Sequence, residues 1–90
     1  MEEKFLQAAE AARTQAEKLG IRIRPVNTIA AAHRVLSGHR ESDGFYQLAD
    51  KRRLDLSLEA LAVKKEFTAL FSDEEANTAL SRLLAAGYLF

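Results

Sequence analysis

The ninety-residue chain has no cysteine and no tryptophan, a single proline and four glycines. Without thiols there can be no disulfide, no thiolate metal centre and no cysteine nucleophile, and the composition suits a reducing compartment. With so few glycines and prolines, little breaks a helix, and the many alanines favour one. There is no uninterrupted apolar run of signal-peptide or membrane-spanning length, and residues 1 to 20 are acidic at their start and repeatedly interrupted by charge. The chain is therefore expected to be cytoplasmic, with no membrane partner. An excess of one charge is missing too. Thirteen Lys plus Arg offset thirteen Asp plus Glu, so overall charge gives no reason to expect a polyanion.

Catalytic motifs are also lacking. No G-x-S-x-G elbow, P-loop or G-x-G-x-x-G occurs. Asp73, Glu74 and Glu75 fall where a helix would begin, and a helix N-terminus accounts for their charge without chemistry. His33 and His39 are six positions apart, which is not the i, i+4 spacing of a helical metal site. No enzyme activity, metal or cofactor is expected. A chain this short seldom gathers polar groups around a concave pocket, so function is expected on the outer surface.

What is present is a helical rhythm. With 48% hydrophobic and 29% charged residues, the chain has the balance of one globular domain spanning residues 1–90. The fold expected is all-α, a compact bundle of about five short helices near residues 3–19, 27–36, 43–53, 57–71 and 73–86. A short extended segment is suggested at 21–24, where Ile21 and Ile23 alternate with Arg22 and Arg24 ahead of Pro25.

In the first helix Phe5, Ala9, Ala12, Ala16 and Leu19 form a heptad-like seam ended by Gly20. It can pack on the chain's own core or on another copy. The second helix starts at Asn27 or Thr28 and puts Ile29, Ala32, His33 and Leu36 on one face, so His33 is expected to point inward. "GHRESDG" is the main surface loop. Ser42 or Asp43 then caps a helix with Phe45, Leu48 and Ala49 inside and Tyr46, Asp50 and Arg53 together on another side.

The segment from Ser57 carries two apolar faces, with Leu58, Leu61 and Ala62 opposite Val63, Phe67, Leu70 and Phe71. Nothing in it breaks helices, so a continuous central helix to Phe71 is preferred over two short helices parted near Lys64 and Lys65. The last helix opens on a capping box, Ser72 with Glu75. It carries Ala76, Ala79, Leu80, Leu83 and Leu84 as its stripe and closes at Gly87. The expected core is Phe5, Ile29, Leu36, Phe45, Leu48 and Leu61, together with Phe67, Leu70, Phe71, Leu80, Leu83 and Leu84. Tyr88, Leu89 and Phe90 form an apolar tail that should fold back or meet a partner.

"NTALSRLLAAGYLF" resembles the third helix and wing entry of winged-helix domains, and that resemblance implies DNA binding. Two features argue against it. The first turn of this helix is acidic, where a recognition helix would meet phosphates, and no wing sequence follows Phe90.

Charge is not evenly spread. Residues 1–20 carry a net −1, residues 21–65 a net +4 and residues 66–90 a net −3. A basic middle and an acidic end suit a non-enzymatic binding or regulatory module that docks on another protein or on a second copy of itself. Tyr46, Arg53, Tyr88, Leu89 and Phe90 are the candidate contacts. The alternative partner is nucleic acid, held by the basic middle in a degenerate winged-helix-like manner. Its candidates are Arg22, Arg24, Arg34, Arg40, Lys51, Arg52, Arg53, Lys64 and Lys65, which lie on at least four segments. One continuous positive face would favour nucleic acid, and an apolar patch rimmed by charge would favour protein.

Overall fold

A capped start and a satisfied end define most of the helices. The computed structural model describes residues 2–88 and is all-α, with helices α1 Glu2–Lys18, α2 Ile29–Ser37, α3 Phe45–Asp50, α4 Leu58–Ala62 and α5 Asp73–Ala85. Single 3₁₀ turns lie at Leu54–Leu56 and Thr68–Leu70. No strand is present among the described residues. The 21–24 segment is an irregular connector that keeps its alternation, with Ile21 and Ile23 turned inward and Arg22 and Arg24 exposed.

Thr28 Oγ1 accepts the Ala31 N–H to start α2, and Ser57 Oγ accepts the Ala60 N–H to start α4. The capping box on α5 forms in both directions: Glu75 N–H donates to Ser72 Oγ at 3.1 Å, and Ser72 N–H donates to Glu75 Oε1 at 2.8 Å. Gly20 and Gly87 adopt φ of +81° and +82° and close α1 and α5, where Ile21 N–H reaches Ala16 O and Tyr88 N–H reaches Leu83 O. With the glycine bonds, Gly20 N–H to Glu17 O and Gly87 N–H to Leu84 O, they complete a Schellman motif at each of these helix ends.

α3 is shorter than expected and is capped by Gly44, with no side-chain bond from Ser42 or Asp43. Ser42 is engaged elsewhere, as described below.

The expected continuous helix from Ser57 to Phe71 does not form. α4 ends at Ala62, the chain turns through the exposed Lys64, Lys65 and Glu66, and the 3₁₀ turn leads to Phe71. The physical reason is the pair of opposed apolar faces. In a straight helix they would point apart, and one would need a second layer of protein. The break swings them together, so that Leu58, Leu61, Ala62, Phe67 and Phe71 enter one cluster with Phe5, Ala12, Ala32 and Leu36. A second cluster joins Ala16, Ile21, Phe45, Leu48, Leu54, Ala60 and Leu83, and Leu56 and Val63 pack against both.

The alanine seam of α1 is used inside the molecule, with Ala12 and Ala16 buried. Of the expected core, Ile29 and Leu70 are half-buried, and Leu80 and Leu84 are exposed. α5 lies at the edge, packed on α2 and α4. Its inward line is Glu75, Ala79 and Leu83, so one strip of leucines remains outside. Leu89 and Phe90 lie outside the described residues. No helix among the described residues is long and apolar enough to cross a membrane.

Candidate binding cleft

Two leucine-rich segments, an alanine helix and a connector rich in branched residues meet on one side of the molecule without filling it. They enclose a cavity of about 570 Å³. Ala9 of α1, Ile23 and Val26 of the connector, Ala31 and Val35 of α2, and Leu56, Leu58 and Leu61 supply an aliphatic floor. Arg13, Arg24, Arg34, His39 and Arg40 stand around it, with Glu41 and Asp43 on the same rim. The expectation that no pocket forms is thereby corrected, because the loop 38–43 is held over the helices instead of lying slack on the surface.

What holds that loop is a buried ion pair. Glu59 is fully buried on α4, and its Oε2 accepts from Arg82 Nη1 of α5 at 3.3 Å and from Ser42 N–H at 2.8 Å. Ser42 Oγ donates to Oε1 of the same carboxylate. The Arg82 guanidinium donates onward to Val35 O at 3.2 Å and Gly38 O at 2.8 Å, taking up carbonyls at the end of α2. No buried side-chain nitrogen or oxygen among the described residues lacks a hydrogen-bond partner. Two charges out of water are tolerable only when satisfied in this way.

The rim arginines differ in what they already hold. Arg13 is taken up by Glu10 and Glu17 on its own helix. Arg24 faces Asp43 at 3.6 Å. Among the described residues no carboxylate lies within ion-pair distance of Arg34 or Arg40. The cleft therefore offers, above an apolar floor, two cations that no carboxylate of the described residues takes up.

Of the nine basic candidates, only Arg24, Arg34 and Arg40 converge on the cleft. Arg22 borders a separate depression beside Glu17 and Gly20. Lys51 and Arg52 lie in the turn after α3, with Arg52 at φ +59°, and Lys64 and Lys65 lie at the corner after α4. Arg53 is bound to Asp55 through Nε at 3.1 Å and Nη2 at 3.3 Å, so it does not join Tyr46 and Asp50. Tyr46 is 65% exposed, and its hydroxyl donates to Glu41 Oε2 at 2.7 Å. That bond pulls the Glu41 carboxyl below its usual range and pushes the Tyr46 phenol above its own. Tyr88 is half-buried against the second cluster.

His33 is half-buried, not inside the core. Its ring meets the edge of Phe71 at 5.2 Å, and Nδ1 lies 2.7 Å from Glu75 Oε2, which also accepts from Ser37 Oγ at 3.2 Å. The cap of α5 is thus tied to α2. Burial works to raise the Glu75 carboxyl, but the Ser72 N–H, the His33 ring and the Ser72 hydroxyl together outweigh it and leave the group below its ordinary value. A carboxyl depressed in the folded state binds protons more readily once unfolded. Its contribution is complete above the ordinary glutamate range of about 4.3 and is lost as pH falls through the depressed folded value. Acid unfolding followed by circular dichroism should therefore be less steeply pH-dependent in Glu75→Gln than in wild type, and Glu75→Gln should be the less stable protein at neutral pH.

Sequence reasoning missed Arg13, His39 and the Glu59–Arg82 pair. A signal for the pair was available. Glu59 is a lone acid among Leu58, Ala60, Leu61 and Ala62, and Arg82 is the single basic residue between positions 66 and 90.

Comparison of the chain with protein-family models, curated proteins and solved structures gave no match.

Proposed function

We propose that this chain is a non-enzymatic binding module that recognises a segment of a partner protein through the arginine-rimmed cleft. The observation that carries the reading is an aliphatic cavity of about 570 Å³ bordered by Arg34 and Arg40, neither paired with a carboxylate among the described residues. That volume falls within the roughly 300–1,000 Å³ typical of ligand sites. Apolar side chains of the partner would leave water against Val26, Val35, Leu58 and Leu61. Carboxylates beside them would pair with the two arginines, which favours acidic, leucine-bearing segments and disfavours basic ones.

Nucleic acid is the less well supported occupant. Binding without sequence preference uses aromatic platforms for stacking bases, and among the described residues no Phe, Tyr or Trp lines this cleft, which leaves the His39 ring on the rim as its one stacking surface. Glu41 and Asp43 stand on the same rim, and the remaining basic candidates are scattered.

The test is a fluorescence-polarisation titration of a short labelled peptide carrying two leucines four positions apart, preceded by two carboxylates. A single-stranded oligonucleotide serves as the comparison. Wild type should bind the peptide, and the double variant Arg34→Glu/Arg40→Glu should bind it about tenfold more weakly. Equal peptide binding by the two proteins, or binding of the oligonucleotide alone, would overturn the reading.

A further inference from the structure

We infer that the segment occupying the cleft is the outer face of α5 from a second copy of this chain. The inference rests on the cleft being a docking site for acidic, leucine-bearing segments, and it names the one that this sequence itself contains. At about 100° per residue, Asp73, Asn77, Leu80 and Leu84 fall along one edge of α5, away from Glu75, Ala79 and Leu83, which pack inward. Leu80 and Leu84 are 36% and 56% exposed and are the only large aliphatic side chains so exposed among the described residues. Asp73 and Glu74, exposed in the turn before them, have no cationic partner among the described residues.

The two surfaces are complementary in the same order. One presents carboxylates and then a pair of leucines, and the other presents arginines and then an aliphatic floor. Residues 21–65, which supply most of the cleft, carry a net +4, and residues 66–90 carry a net −3. Leucines one helical turn apart stand about 5–6 Å from each other, close enough to enter one cavity together. The inward face of α5 is fixed on α2 and α4, so the outer strip is directed away from its own molecule.

This contact is heterologous. A single such contact leaves one free cleft and one free α5 strip, so association either extends into chains or closes into a ring, a reciprocal pair being the smallest. Two leucines and a few exposed ion pairs bury little area, so association is transient and weakens with salt.

Sedimentation velocity over a concentration series at low and high salt tests it. Wild type should sediment faster as concentration rises, and the effect should fade in salt. Leu84→Lys, which spoils the strip, and Arg34→Glu/Arg40→Glu, which spoils the cleft, should each remain monomeric. All three substituted positions are exposed, and circular dichroism confirms that each variant is folded. An equimolar mixture of the two variants retains one intact cleft and one intact strip, so it should form a one-to-one pair and nothing larger. A mixture that stays monomeric while wild type associates overturns the inference. A wild type that stays monomeric while the acidic leucine peptide binds overturns the inference and leaves the docking site standing. Failure of both association and peptide binding removes both.

Discussion

Replacing Glu59 with alanine should destabilise the protein by roughly 3–5 kcal/mol, the usual cost of removing one partner from a buried ion pair. Arg82, whose side chain is only 9% exposed, would be left with its guanidinium facing a void where the carboxylate had been. The Ser42 N–H and hydroxyl would lose their acceptor in the same step. Natural chains have about 0.05–0.15 kcal/mol of stability per residue, or roughly 5–14 kcal/mol at this length, so a loss of this size removes a large share of the total. Urea titration measures it. A double-mutant cycle with Arg82→Met supplies the check. Because the charge on Arg82 is tolerable only beside Glu59, the double variant should lose much less than the two single losses combined. Strict additivity would mean that the pair is not coupled.

Phe5→Ala should cost a similar amount, about 3–5 kcal/mol, for a different reason. Phe5 is fully buried, and its ring meets the edges of Phe67 at 5.3 Å and Phe71 at 5.1 Å. Truncation loses the transfer energy of a large side chain and leaves a void that three separate elements would have to close. This ring also anchors α1 to the segment that follows α4, so the cleft should suffer together with stability, since α1 contributes Ala9 and Arg13 to it. Thermal unfolding and the peptide titration should therefore both report Phe5→Ala. A variant of near wild-type stability would mean that the two clusters hold α1 without its aromatic anchor.

Helix ends were the most legible feature of the sequence, because their determinants are local. Thr28, Ser72 with Glu75, Gly20 and Gly87 act within a few residues of where they stand, and each was expected to mark the boundary it marks. Burial was legible where one strong period dominated, as at Phe5, Leu36, Leu48 and Leu83. It failed on α5, where five apolar positions gave a stripe wider than the face that its neighbours cover. How wide a face is buried depends on which helices lie beside it, and periodicity carries no such information.

The segment from Ser57 to Phe71 failed for a related reason. Its two apolar faces allowed either a sandwiched helix or a broken one, and the choice turned on whether the rest of the chain could provide a second layer. With α1, α2 and α5 already committed to one core, it could not. The cleft was the least legible feature. Its rim draws on α1, the connector, α2 and the loop, and only the fold places Arg24, Arg34 and Arg40 around a common floor.

The Glu59–Arg82 pair bears on more than stability. By mooring Ser42, Gly38 and Val35 at once, it gives a loop on the outside of the molecule the rigidity of its interior. A guest arriving there meets a mould already set, so little chain freedom is surrendered on association. Visits should then be brief because few groups touch, and not because the host must first rearrange.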